Sequence, residues 1–244
     1  MDARSPWCAA TLALGLATST GVVADAGRCE ARSAPQQARL VELYTSEGCN
    51  SCPPADRWLS TLKGRDDVLA AAFHVDYWDH LGWKDRFGAA AHTERQAQRV
   101  AAGASRFAYT PQVLVDGRDW RRWPQLPPAG GPAPVAIQLR REDTRVIVDV
   151  APLTGAPGTI AAWWVLLEDG HASAVKAGEN RGVALQHDHV VRAYGQRASW
   201  ASAAPARFEI TAPRHGEGGR PVRLLVVVSD ARSGLPLQAV QLGC

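Results

Sequence analysis

No stretch of this chain approaches the ~20 consecutive apolar residues that a membrane-spanning helix needs. The nearest are the short run Ala9–Ala17 and the strand-length segment around Val226–Val228, so no stable membrane insertion is expected. Lysine is scarce: it occurs only at Lys63, Lys84 and Lys176, among 27 lysines and arginines together. That skew reads as genome bias rather than function. Neither sign of charge dominates. The net charge is +3, and the basic residues are spread along the chain rather than clustered, which argues against a nucleic-acid partner. Internal repeats and low-complexity tracts are missing as well. What is there is ordinary globular composition, 46% hydrophobic and 21% charged over 244 residues, enough for one large domain or two small ones.

The first residues carry Arg4, then the apolar run Ala9–Ala17, then Ala24-Asp25-Ala26. A basic start, a short apolar core and an Ala-x-Ala site describe a secretory signal peptide over 1–26, which predicts a periplasmic or extracellular protein. An uncleaved anchor is the alternative. Arg28 before Cys29 argues against a lipid-anchored start. With Cys8 removed, Cys29, Cys49, Cys52 and Cys244 remain. An even number of cysteines in an oxidising compartment suggests disulfides. Cys49 and Cys52 are close enough to pair, leaving Cys29 and Cys244 either bridged or as two free thiols.

Residues 37–123 read as alternating strands and helices. Arg39–Tyr44 alternates like a strand, and Pro53-Pro54 suits the first turn of a helix running to Lys63, with Trp58, Leu59 and Leu62 on one face. Val68–Val75 is an apolar strand, Ala89–Ala102 a helix and Gln112–Val115 a strand, followed by the hairpin signal Asp116-Gly117. Residues 124–134 hold five prolines and two glycines and read as a linker. In 135–244 the strand candidates are Val135–Leu139, Arg145–Val150, Thr159–Leu167, Phe208–Thr211, Arg223–Val228 and Leu237–Leu242. The expected fold class is therefore an α/β thioredoxin-like domain followed by a small all-β, sandwich-like domain.

The chemistry-bearing feature is Glu47-Gly-Cys49-Asn-Ser-Cys52-Pro-Pro54, placed between a strand and a helix. A helix start stabilises a thiolate through the positive end of its dipole, and such placement can bring a thiol pKa from ~8.5 into the range ~3.5–7.5. Cys49 is expected to be the exposed nucleophile and Cys52 the resolving thiol. Thr110-Pro111 stands just before a strand. X–Pro bonds are where cis peptides occur, and a proline in this topological position lies against the cysteines of thioredoxin-like domains, so Thr110 and Pro111 are expected to position a bound peptide. Two other readings stay open: a structural disulfide, or half of a metal site completed by histidines such as His74, His80 or His92. None of these has the fixed close spacing of a zinc module, and His74, between Phe73 and Val75, reads as a core or strand-end residue. His187 and His189 are better read as packing or solvent residues than as ligands. Asp76–Asp79 with His80, Trp83 and Asp85 reads as an ordered loop more readily than as a substrate groove.

Leu43–Asp56, His74–Asp79, Gly82-Trp83 and Thr110–Val113, with Gly178-Glu-Asn-Arg-Gly182 and His187–Arg192, resemble the domain of unknown function 1223 family. The resemblance runs from about Arg39 to the C-terminus. It implies a secreted, thioredoxin-like, mostly bacterial protein, and it brings no settled activity. The likeness to thioredoxin itself is looser, with extra chain in Asp76–Phe87. Thioredoxin keeps a buried acid in the strand before its cysteines, and Glu42 is the candidate here, one residue further from Cys49 than that pattern places it. The function expected is thiol–disulfide exchange with protein or peptide thiols and disulfides. No cofactor and no resident metal are called for. The alternatives are a non-catalytic binding module stapled by Cys49–Cys52, or a copper- or zinc-handling protein using those thiols.

Overall fold

The computed structural model describes residues 1, 29–128 and 130–244. Residues 2–28 of the segment expected to be a signal peptide and its junction, with Cys8 and Ala24-Asp25-Ala26, lie outside the described residues. Strand makes up 44% of the described residues and helix 12%. In order the elements are β1 (Glu30–Arg32), β2 (Arg39–Thr45), α1 (Pro53–Ser60), β3 (Val68–His74), α2 (Ala90–Ala101), β4 (Gln112–Val115), β5 (Arg118–Asp119), β6 (Val135–Glu142) and β7 (Arg145–Pro152). Then follow β8 (Thr159–Glu168), β9 (His171–Ala174), β10 (Ala184–His187), β11 (Val190–Ala201), β12 (Ala206–Thr211), β13 (Arg223–Asp230) and β14 (Pro236–Leu242).

Eight strands form one sheet in the order β14-β13-β8-β11-β3-β2-β4-β5, beside a four-stranded sheet β1-β6-β7-β12 and the hairpin β9-β10. This overturns the expected fold class. The chain is mostly β, its described residues hold only two α-helices, and strands from both sides of the proline-rich stretch share a sheet. The physical reason lies in β11. Its sequence, Val-Val-Arg-Ala-Tyr-Gly-Gln-Arg-Ala-Ser-Trp-Ala, lacks a clean apolar alternation and gives no strand signal. Yet it pairs antiparallel along β8 and, through Val190 opposite Ala72, parallel to β3. A short parallel junction thus welds two halves that look separate in sequence.

Alternation along the strands sorts the core into layers. On one face of the large sheet, Val41 and Leu43 of β2, Ala70 and Ala72 of β3, and Val113 and Val115 of β4 pack against Trp58, Leu59 and Leu62. These last are the apolar face expected from sequence, although α1 ends at Ser60 rather than Lys63 and Leu62 sits in the turn beyond it. On the same face further along, Ile160, Leu224, Val226 and Val228 pack against Val135, Ile137, Leu139, Val146, Val148 and Val150 of the four-stranded sheet. The opposite face carries Leu40, Tyr44, Phe73, Trp163, Leu225 and Val227, and is covered by α2. That helix buries His92, Arg95, Gln96 and Arg99 rather than aliphatic side chains. Asp116-Gly117 makes the expected tight turn, with φ of 48° and 75°; these left-handed values suit that dipeptide. Cys29 and Cys244 are bridged.

A candidate redox site over a buried carboxylate–histidine cluster

The strands β2 and β3 run parallel and in register, with Thr45 opposite His74. The polypeptide leaves the C-terminal end of β2 through a tight loop in which the Cys49 N–H donates to the Ser46 carbonyl (3.2 Å) and the Cys52 N–H to the Cys49 carbonyl (3.2 Å). Cys52 is the N-cap of α1, and it is bonded to Cys49. Pro53 and Pro54 remove two of the amides that a helix start ordinarily presents, and the N–H groups of Ala55 and Asp56 are both directed at the Cys52 carbonyl. Thiolate stabilisation here would therefore rest on the helix dipole more than on free N–H donors.

Both sulfur-bearing residues are fully buried, at 0% exposure, although Asn50 and Ser51 between them are exposed. The expectation that Cys49 lies open to solvent is thus not what this oxidised state shows. The segment joining β9 to β10 closes on the backbone of this loop. Asn180 donates from Nδ2 to the carbonyls of Glu47 (2.8 Å) and Cys49 (2.9 Å), and the exposed Glu179 accepts from the Asn50 N–H (3.1 Å). Gly178, with φ of 72°, lies against Trp83. A residue 131 positions along the chain therefore clasps the cysteine loop.

Thr110 and Pro111 are joined by a cis peptide bond. The Thr110 hydroxyl accepts from the Trp78 indole N–H (2.8 Å), and Trp78 leaves no room for a Cβ at Gly48, which would stand 2.9 Å from its own Cβ. Thr110 is thereby connected to the cysteine loop through one tryptophan. Glu42 is not brought to the pair. It shares the α2 face of β2 with Leu40 and Tyr44, while Thr45, Asp56 and α1 lie on the other face. There it is bound by Arg95 through Nε (3.1 Å) and Nη2.

The carboxylates that do stand near the pair are Glu47 and Asp56. Glu47 accepts from Trp83 Nε1 (2.8 Å) and His187 Nε2 (3.2 Å). Asp56 accepts from the Thr45 hydroxyl (2.9 Å), and its other oxygen is 3.8 Å from His187 Nδ1, an ion-pair distance rather than a hydrogen bond. His74 donates from Nδ1 to Asp85 (2.7 Å), which also accepts from the Glu47 and Phe87 backbone N–H groups (2.9 Å each). Burial works to raise the Asp85 pKa, but the His74 imidazole and these amides outweigh it and hold it at about 2. Burial likewise opposes charge at His187, yet Asp56 and Glu47 win and lift it to about 9. Glu47 is lowered: burial is overcome chiefly by its bond from His187. His80 is exposed, and His92 and His189 point elsewhere, held below the ordinary imidazole range at about 4 by burial. Asp85 and Trp83 brace this cluster from the Asp76–Phe87 loop.

The sequence alone assigns no role to Glu47, Asp56 or Asn180, places Asp85 in an ordered loop and reads His187 as a packing or solvent residue. The available signal was that Asn180 and His187 fall inside the later segments resembling the family.

Taken together, fold and site define a mostly-β protein with a disulfide closed at a helix start, clasped by a hairpin above a buried set of carboxylates and imidazoles. Residues 40–229 match the family described as protein of unknown function (DUF1223), and the chain belongs to that family. No curated protein matches it. Among solved structures it is similar to the protein AGR_C_4864 from Agrobacterium tumefaciens, at 24% identity and a TM-score of 0.63, covering 86% of this chain and 96% of that one. It is also similar to HBP35 of Porphyromonas gingivalis, at 13% identity and a TM-score of 0.54, covering 86% and 76%. At these identities the likeness speaks for the fold alone.

Proposed function

We propose that this chain exchanges disulfides with protein or peptide thiols outside the reducing cytosol. The observation that carries this reading is the position of Cys49–Cys52. The bond is closed at the N-cap of α1, at the C-terminal end of a parallel strand pair where ligands of such sheets gather, with Asn50 and Ser51 exposed and a side-chain clasp on the carbonyls of the cysteine loop. In the exchange, a partner thiolate attacks the Cys49 sulfur. The Cys49–Cys52 bond breaks, a mixed disulfide forms and Cys52 leaves as the thiolate. A second partner thiol then displaces Cys49, so that one partner disulfide is made for the one consumed. The reverse sequence reduces a partner. Opening of the Asn180 clasp precedes attack. The paired cysteines Cys29–Cys244 and Cys49–Cys52 suit a periplasmic or extracellular setting.

The decisive experiment follows reduction of a peptide disulfide by the full chain under a thiol-recycling system. Turnover is expected for the wild type and lost in Cys49→Ser; equal turnover in the two overturns the reading. A second reading, a stapled non-catalytic scaffold, is favoured by the 0% exposure of both cysteines. A reduction potential below about −300 mV, the range of resistant structural disulfides, would select it.

A further inference from the structure

We propose that Asp56, His74 and His187 form the binding site of one first-row divalent transition-metal ion, of which Zn2+ is the reference. The site uses no sulfur and goes beyond the exchange reading. The ligand atoms available on these side chains all lie within 4.8 Å of one another, and the residues are 8%, 0% and 3% exposed. A tetrahedral ion with bonds of ~2.0–2.2 Å holds its ligands about 3.4 Å apart. The three therefore need to close by little more than an ångström, and Asp56 and His187 start at 3.8 Å.

The stronger observation is which nitrogens are unused. His74 Nε2 and His187 Nδ1 are buried and have no hydrogen-bond partner, whereas a buried polar atom ordinarily has one. In each ring the other nitrogen is engaged with a carboxylate: His74 Nδ1 with Asp85 at 2.7 Å, His187 Nε2 with Glu47 at 3.2 Å. A carboxylate that takes the N–H on one side of an imidazole fixes the tautomer and leaves a lone pair on the other. That is the outer-shell arrangement of metal-binding histidines. Here it occurs twice, on two rings with centroids 4.9 Å apart, beside a carboxylate that stands 3.8 Å from His187 Nδ1 and is itself oriented by Thr45.

A proton is the competing occupant. A protonated His187 would aim its Nδ1–H at an oxygen 3.8 Å away, and a protonated His74 would aim Nε2–H at nothing. A cation between them serves both nitrogens and offsets part of the charge of Glu47, Asp56 and Asp85, three carboxylates that are all at least nine-tenths buried. With two imidazoles in the donor set, the site suits zinc-like ions over magnesium or calcium, which take oxygen ligands. A groove of about 250 Å³ between α1 and β10, lined by Asp56 and His187 along with Pro53, Arg57 and Gln186, gives the ion a route in.

The test uses the full chain, stripped with a chelator while both disulfides stay oxidised, then titrated with Zn2+ and with Co2+. One ion per chain is expected. The Co2+ form should show two exchangeable, paramagnetically shifted N–H proton resonances, from His74 Nδ1–H and His187 Nε2–H. Asp56→Asn and His187→Gln, checked for folding by circular dichroism, should weaken Zn2+ binding by ~100-fold or more, Glu47→Gln by about 10–100-fold, and exposed His80→Gln not at all. Absence of stoichiometric binding by the folded wild type, fewer than two shifted N–H signals, or binding that requires reduction of Cys49–Cys52 would each overturn the site. The spectrum decides on the wild type alone if the variants fail to fold. Because the disulfide stays closed throughout, a negative result here leaves the exchange reading standing, and equal turnover in Cys49→Ser and the wild type, which overturns that reading, leaves this one standing.

Discussion

Two buried charge networks, one on each face of the large sheet, are satisfied to different degrees. On the α2 face, every nitrogen of Arg95 has a hydrogen-bond acceptor. Glu42 takes two of its donors, the Tyr194 hydroxyl a third, and the guanidinium lies 3.9 Å from the Trp163 ring centroid and 4.9 Å from that of Phe73. On the α1 face, beneath the cysteine pair, three carboxylates and two imidazoles leave two nitrogens unmatched. A buried ionic group whose partners are all present is a structural element. One left with unmatched lone pairs has capacity to spare, and on this molecule that capacity lies beside the disulfide. The same strand, β2, serves both: its even-numbered residues feed the closed network and Thr45 the open one.

The comparison breaks most visibly at Arg95. Arg95→Met strands Glu42 in a buried site and should cost about 3–5 kcal/mol in denaturant unfolding, with disulfide exchange and metal titration unchanged in the protein that remains folded. Loss of either activity would mean the two faces are coupled. Next comes His92, at the seam between them, which is 5.4 Å centroid to centroid from Phe73 and donates to the His74 carbonyl (2.9 Å). Its pKa is lowered from 6.5 to about 4 by burial, so the fold favours the neutral ring. That contribution is fully present above pH ~6.5 and is lost as pH falls towards 4, amounting to about 3 kcal/mol. His92→Gln should flatten the stability profile over that window.

Smaller effects probe the open side. Asn180→Ala removes both clasp hydrogen bonds, each worth about 0.5–1.5 kcal/mol, and should speed reduction of Cys49–Cys52 by dithiothreitol roughly tenfold, with little change in global stability. An unchanged rate would show that the hairpin is not the gate. Smallest is Thr110→Val, which takes away the acceptor for Trp78. About 1 kcal/mol of stability and a modest rise in KM for a peptide disulfide, at constant kcat, are expected; a fall in kcat alone would place Thr110 in the chemistry instead of in positioning.

Much of this was legible locally. The strand before the cysteines, the Pro53-Pro54 helix start, the Trp58/Leu59/Leu62 face, the Asp116-Gly117 turn and the bounds of β3, α2 and β4 all follow from short-range patterns. Counting cysteines left Cys29 and Cys244 either bridged or free, and the structure bridges them. What escaped depends on long-range pairing. The β11 strand is too polar for periodicity to show, and without it the two halves separate into two domains. Glu47 and Asp56 look like ordinary residues near a helix start, where acids are favoured for dipole reasons alone. His187 enters the cluster only because β10 folds back on α1. The polar buried face of α2 ran against the expectation that a packed helix shows an apolar stripe, and its meaning appears only with Glu42 opposite.

The Cys29–Cys244 bond has a topological consequence. It joins residues 215 apart, so that everything between them is a covalent ring. One proteolytic cut within the ring leaves a single molecule of nearly unchanged mass, which falls into fragments only on reduction. Such a nicked chain has in effect exchanged its ends for new ones at the cut, and the bridge has become an internal link of a circularly permuted protein.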